Sequence, residues 1–256
     1  MNAAATSPPI VRGVVSRLHQ AMTVVLRGSP RVSVLYSGGL DSSLVASVAG
    51  EISSVELVTV GVRGSPDLTA AERGARALDL AWTDRTIERS DIERVLRSDN
   101  SLLADANRAS RAVLVGLALA LEVASHPRVL CGQGADELFL GYAHFEGLSA
   151  ADTRRKQQED LDRLLGSDWP RSVRLAQTRG KDLRSPYLEP EFLSHARGIS
   201  IDQLRWGGGR KPLLREVAVE VGVPSELVAR PKKAFQYGSG IERLMRSLPM
   251  PGEAGA

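Results

Sequence analysis

Residues 32–49, VSVLYSGGLDSSLVASVA, begin as an apolar β-branched run, break at two glycines and resume at helical spacing. That succession predicts a strand, a tight loop and a helix starting near Leu40. Gly38 and Gly39 carry no Cβ, so the loop backbone can come close to a ligand, while the new helix points its unpaired amides at the same spot. Ser37, Ser42 and Ser43 add hydroxyls and Asp41 a carboxylate. Such a cradle suits phosphate oxygens together with a Mg²⁺ ion held by the acid. An ordinary glycine–serine turn before a helix is the alternative reading of the same residues. The GxxxxGK phosphate loop is absent.

Upstream, Ser7-Pro8-Pro9 predicts a helix start, with Ser7 as the cap and apolar residues recurring at helical spacing to about Arg27. After the loop helix, strands are predicted over Val55–Val62, Trp82–Ile87 and Arg128–Cys131. Helices are predicted from about Gly64 to Asp79, over Asp91–Arg97 and over Asp105–Ala124. Strands that are nearly all apolar and separated by helices indicate a parallel sheet covered on both faces. Ligands of such sheets bind beyond the strand carboxyl ends at the switch point.

A second glycine break, CGQGADELFLGY over 131–142, again joins a strand end to acids at a helix start. Asp136 is placed to share a metal with Asp41, which would neutralise the charge of a leaving polyphosphate. An acidic helix N-terminus, favoured by the dipole alone, is the plainer alternative. Basic residues form a third signal. Only five of the 33 are lysines (156, 181, 211, 232 and 233), and three of these fall between 211 and 233, in RKPLLREVA (210–218) and RPKKAFQYGSG (230–240). A compact ammonium suits a phosphate as a point cation, although an exposed basic loop would look the same.

SGGLDSS resembles the signature of the ATP pyrophosphatase (PP-loop) family, and CGQGADELFLGY is similar to the GEGADELFGGY of asparagine synthetases. The C-terminal segments resemble their KxxLR and RPKKGF, and DLRSPYLE (182–189) resembles their ExRxPFLD. The resemblance covers about residues 30–245. It implies a doubly wound α/β fold of the adenine nucleotide α-hydrolase (HUP) kind with a C-terminal helical part. Within one domain, 10–30 would be an N-terminal helix, 31–145 the core, 146–245 the helical part that returns the lysine, and 246–256 a tail. It also implies a reaction: a carboxylate, by the match aspartate, is adenylated with release of pyrophosphate and then converted to an amide by ammonia.

The residues implied for ATP and pyrophosphate are Leu35, Ser37, Gly38, Gly39, Leu40, Asp41, Ser42, Ser43, Val60, Cys131, Gly132, Lys211 and Lys233, with Mg²⁺ on Asp41 and Asp136. Lys232 matches the catalytic lysine, and Asp136 and Gln133 join it in the catalytic set. Gln133 stands where the synthetases have glutamate; an amide can orient a ligand but cannot act as a base. Arg184 and its neighbouring acids are implied as a brace between helical part and sheet. A PP-loop enzyme that modifies tRNA bases, or an ATP-binding regulator without turnover, are the alternatives.

Composition narrows the field. With 256 residues and 43% hydrophobic content the chain can bury a full core. A net charge of +3 and 4% aromatic residues give no strong footprint for nucleic acid. The single cysteine, Cys131, excludes an internal disulfide, and the four histidines lack ligand spacing for zinc. Residues 1–9 lack a basic segment and an apolar h-region, and the longest apolar run, 112–121, is too short to cross a bilayer, so a cytoplasmic soluble protein is expected. The sequence also lacks the cysteine-initiated glutaminase domain of the synthetases, so ammonia is expected from solution or from a separate glutaminase subunit. The charged stretch Ser149–Leu165 predicts a solvated helix.

Overall fold

A computed structural model describes residues 7–104, 106–231 and 235–247, without the side chains of Asn100 and Gln236. In chain order the helices are α1 (Pro9–Leu26), α2 (Leu40–Gly50), α3 (Pro66–Leu78), α4 (Arg89–Ser98), α5 (Asn100–Leu103), α6 (Arg108–Val123) and α7 (Ala135–Leu138). Then follow α8 (Ala150–Arg163), α9 (Trp169–Gln177), α10 (Pro190–Gly198), α11 (Ile201–Arg205), α12 (Pro212–Val221), α13 (Ser225–Ala229), α14 (Phe235–Gly238) and α15 (Ile241–Arg246). The strands are β1 (Arg31–Leu35), β2 (Ser54–Val62), β3 (Ala81–Ile87), β4 (Arg128–Leu130) and β5 (Asp182–Arg184).

All strand pairs are parallel, in the order β3-β2-β1-β4-β5. The alternation of the apolar strands sends Val34, Leu57 and Leu130 to a core shared with α1, α2, α10 and α12. Val58, Val60, Val129 and Leu183 face the opposite core, built with α4, α6, α9 and α15. The chain winds outward from β1 to β3 and then returns to the other side of β1 for β4. The switch point of the sheet is therefore the gap between the carboxyl ends of β1 and β4. The loops 36–39 and 131–134, which hold the two glycine breaks, lie on either side of it.

Three local expectations need correction. Ser7 does not cap α1: Pro8 occupies the cap position without a side-chain bond, and the Ser7 hydroxyl meets Glu220 instead. β5 joins the sheet beside β4 although nothing in Asp182-Leu183-Arg184 reads as a strand, because one apolar residue between two charges has no periodicity to detect. Nor is α8 simply solvated. Thr153, Gln157, Asp160 and Leu161 on one of its faces are buried, and Gln157 Nε2 donates to the carbonyls of Glu137 (3.0 Å) and Leu138 (2.9 Å). Polar residues can occupy a buried helix face when each finds a partner, which hydropathy alone does not reveal.

Candidate functional site

The loop after β1 is shaped by Gly38. It sits at φ +67°, and a Cβ there would come within 2.6 Å of the Ala70 carbonyl carbon in α3. Only glycine meets both demands. Gly39 is the N-cap of α2 and contributes no side-chain cap, so the first amides of that helix are left for whatever enters from solvent. Ser42 Oγ donates to Gly39 O (3.2 Å) and accepts from Ser37 N (3.4 Å), closing the turn on itself.

Across the switch point, Gly132 and Gly134 bring the second loop against the first: a Cβ on Gly132 would lie 3.0 Å from Asp41 Cβ. The segment after β5 clamps both. Ser185 Oγ donates to Gln133 O (2.6 Å), and the fully buried Tyr187 donates its hydroxyl to Asp41 O (3.2 Å). This clamp does not include the Arg184 side chain. Its guanidinium is exposed and bonds Asp182 in its own strand (2.7 Å), while its carbonyl accepts from Cys131 N (3.0 Å).

Between the two loops stands Lys211. Its Nζ lies 2.6 Å from each carboxylate oxygen of Asp41 and 2.5 Å from Asp136 Oδ1. The residue is 3% exposed. Burial alone would lower the pKa of this ammonium, but the two acids and their hydrogen bonds outweigh it and hold the pKa above the ordinary lysine value. Space for it comes from Gly141, where a Cβ would meet Lys211 Cε at 2.2 Å and Asp136 Oδ1 at 1.9 Å.

The two carboxylates thus converge on one cation position, with an ammonium standing in it. Hard oxygen donors arranged this way suit Mg²⁺. Among the described residues no cluster of three or more metal-ligating side chains occurs. Such an ion would therefore draw its remaining ligands from water and phosphate, as Mg²⁺ commonly does.

A cleft of about 590 Å³ opens over this triad. Of the residues singled out in the sequence, Leu35, Ser37, Gly39, Leu40, Asp41, Ser42, Val60, Cys131, Gly132, Gln133, Asp136 and Lys211 line it. Gly38 does not, since it is packed against α3, and neither does Ser43. Ser43 was expected to face the ligand, but its position in α2 turns it inward, where it is fully buried with its hydroxyl 3.2 Å from that of Tyr36. Lys232 and Lys233 lie outside the described residues, as do 248–256 of the expected tail. Their neighbours Arg230, Pro231 and Phe235 line the same cleft. Burial pushes the Cys131 thiol up to about 12, so it is a neutral wall residue. Glu137, behind Asp136, is raised by burial and by the neighbouring acid, and its carboxyl accepts from Tyr142 (2.6 Å).

A family model described as asparagine synthase matches residues 13–158 and 146–249. The chain belongs to the asparagine synthase family. It is similar to a putative glutamine-hydrolysing asparagine synthetase of Methanocaldococcus jannaschii, 29% identical over 259 residues, taking in 86% of this chain and 48% of that protein. It is likewise similar to the glutamine-hydrolysing asparagine synthetase of Mus musculus, 29% identical over 225 residues, with 81% and 40% covered. The chain spans less than half the length of these relatives. Among solved structures, an NMN synthetase from Francisella tularensis superposes with a TM-score of 0.47 at 13% identity, over 96% of this chain and 88% of that one.

In this asparagine synthase family member, several site residues are not among those the sequence singles out. Arg230 Nη1 donates to Ser37 O (2.6 Å) and its Nη2 pairs with the buried Asp67 (3.2 Å), tying the segment before Lys232 to the first loop. A π-helical turn (Leu164–Asp168) also brings Leu164 and Asp168 to the cleft wall with Arg163 and His144. His144 and Arg163 both contact the buried Asp160, at 2.7 and 3.2 Å. Arg230 opens the quoted RPKKAFQYGSG motif and could have been suspected from it; the π turn could not.

Proposed function

We propose that the chain is an ATP-dependent carbon–nitrogen ligase that adenylates a carboxylate, aspartate by family resemblance, and converts it to an amide with ammonia. The observation that carries this reading is the meeting of Asp41, Asp136 and Lys211 in one cleft at the switch point. In the first step a carboxylate oxygen bonds to the α-phosphorus and the bond to pyrophosphate breaks. Ammonia then bonds to the acyl carbon, AMP departs and a proton is released.

The loop amides and Ser37, Gly39, Leu40 and Ser42 would hold the pyrophosphate, with Lys233 assigned to it as well. Main-chain atoms near Leu35, Val60 and Gly132 would hold AMP against the neutral Cys131. Asp41 and Asp136 would hold Mg²⁺, whose charge offsets that of the leaving group. Lys232 would meet the charge that develops at phosphorus, and Gln133 would orient the acceptor or the amine by hydrogen bonds. Most of the acceleration then comes from positioning and charge stabilisation.

The test is pyrophosphate release with aspartate and ammonium, followed by a panel of other carboxylates. Lys232→Ala should keep ATP binding and abolish release; equal loss of both contradicts the assigned role. Binding of ATP with no release from any carboxylate would instead favour a regulator, which the amide at Gln133 motivates.

A further inference from the structure

Lys211 is built into the carboxylate pair with more structure than a phosphate-binding lysine needs. Its ammonium has three contacts within 2.6 Å, two hydrogen bonds to the Asp41 carboxylate and an ion-pair contact to Asp136 Oδ1. The backbone pays for that reach: Lys211 itself adopts φ +54°, a region that non-glycine residues seldom occupy. It follows three glycines, Gly207, Gly208 and Gly209, at φ +97°, +76° and +76°, and a Cβ on Gly208 or Gly209 would meet nothing within 4 Å. Gly141 keeps a corridor open for the side chain.

We propose that Lys211 is the resident counter-cation of this pair, so that a divalent metal enters the cleft only together with a polyphosphate. The inference rests on the nucleotide-binding reading above. Charge supplies the reason. Among the described residues two carboxylates face one ammonium, which stands at the point where both acids converge. A bare Mg²⁺ or Mn²⁺ would have to displace a buried cation ion-paired to both acids and shed water, in exchange for two ligands. A polyphosphate brings several further negative charges, enough to hold a lysine and a metal at once. Before that, Lys211 keeps the acids from repelling each other and preserves the shape of the site.

The experiment uses Mn²⁺ as probe on the nucleotide-free protein, read by the electron paramagnetic resonance of free Mn²⁺. Wild type should show no saturable uptake below millimolar metal, whereas Lys211→Met should bind Mn²⁺ at least tenfold more tightly. One Mn²⁺ per chain taken up by wild type at micromolar concentration overturns the proposal, as does a folded Lys211→Met with unchanged affinity. Should that variant not fold, wild type alone decides, through its unfolding midpoint with Mn²⁺, with inorganic pyrophosphate and with both. Only the combination should raise the midpoint; a rise with Mn²⁺ alone of the same size, or none with both, overturns the proposal. Pyrophosphate release from the carboxylate panel is read separately, so loss of the ligase reading and loss of this one are distinguishable.

Discussion

Gly141→Ala is the most demanding perturbation of the ion triad, because it adds one methyl group and no charge. The new Cβ would lie 2.2 Å from Lys211 Cε and 1.9 Å from Asp136 Oδ1. Carbon atoms settle at about 3.5–4.0 Å, so Cε would have to retreat by about 1.3 Å or more. A retreat of that size takes Nζ, now 2.6 Å from Asp41, out of hydrogen-bond range. Displacing a buried ammonium from acids that are 24% and 23% exposed costs less than the ~3–5 kcal/mol of a fully buried pair that loses one partner, or about 1–3 kcal/mol, still a large share of the ~5–15 kcal/mol by which domains are typically stable. Urea unfolding followed by circular dichroism measures the loss. Gly198→Ala is the control, since its Cβ meets nothing within 4 Å and its φ is not positive; it should change stability by about 1 kcal/mol or less. In a double-mutant cycle the penalty at Gly141 should shrink when Lys211 is already methionine, because one of the two colliding groups is then free of its ionic anchor. A Gly141→Ala protein that loses less than about 1 kcal/mol would refute the reasoning, for it would mean that the ammonium is not held where the geometry puts it.

Three further outcomes are expected. Glu56 accepts hydrogen bonds from Ser33 (2.7 Å), Thr83 (3.0 Å) and Ser125 N and Oγ (3.0 and 2.9 Å), and these outweigh burial to lower its pKa. A lowered folded pKa contributes stability that is present above the unfolded value of about 4.3 and lost as pH falls through the folded one. Glu56→Gln should therefore be less stable than wild type at pH 7, with the gap narrowing as pH falls below about 4.3, as read by thermal melts; a gap that stays constant down to the acid limit of folding would count against the assignment. Gln157→Leu should cost about 1–3 kcal/mol in urea unfolding, because it strands two buried carbonyls, whereas the exposed Arg155→Ala should stay within about 0.5 kcal/mol. With a thiol pKa of about 12, Cys131 should react with iodoacetamide at pH 8 on the order of 10³-fold more slowly than a free cysteine; labelling at the free rate would show the thiol to be solvated.

Much of the core was legible because its signals are local. A β-branched run, two glycines and an apolar helix each act over a few residues, so β1, α2 and the crossovers to β2 and β3 follow from short windows of sequence. The parallel arrangement is equally local in origin, since strands alternating with helices leave few other ways to bury both faces. The two loops could be placed at the carboxyl ends of strands on the same grounds.

Tertiary structure alone decided which side chains meet. Lys211 and Asp41 stand 170 residues apart, and no spacing rule connects them; the sheet order, which puts β1 beside β4, and the left-handed turn at Lys211 do. The same holds for Ser43, which shares a motif with Asp41 and yet turns inward, because neighbouring helical residues face different directions. Gln157 and Asp160 look solvated in sequence and become buried once their partners close over them, and β5 is a strand because β4 offers it an unpaired edge. Glycine and hydrophobic spacing thus fixed the path of the backbone, whereas the charge arrangement of the cleft arose only when distant segments packed against one another.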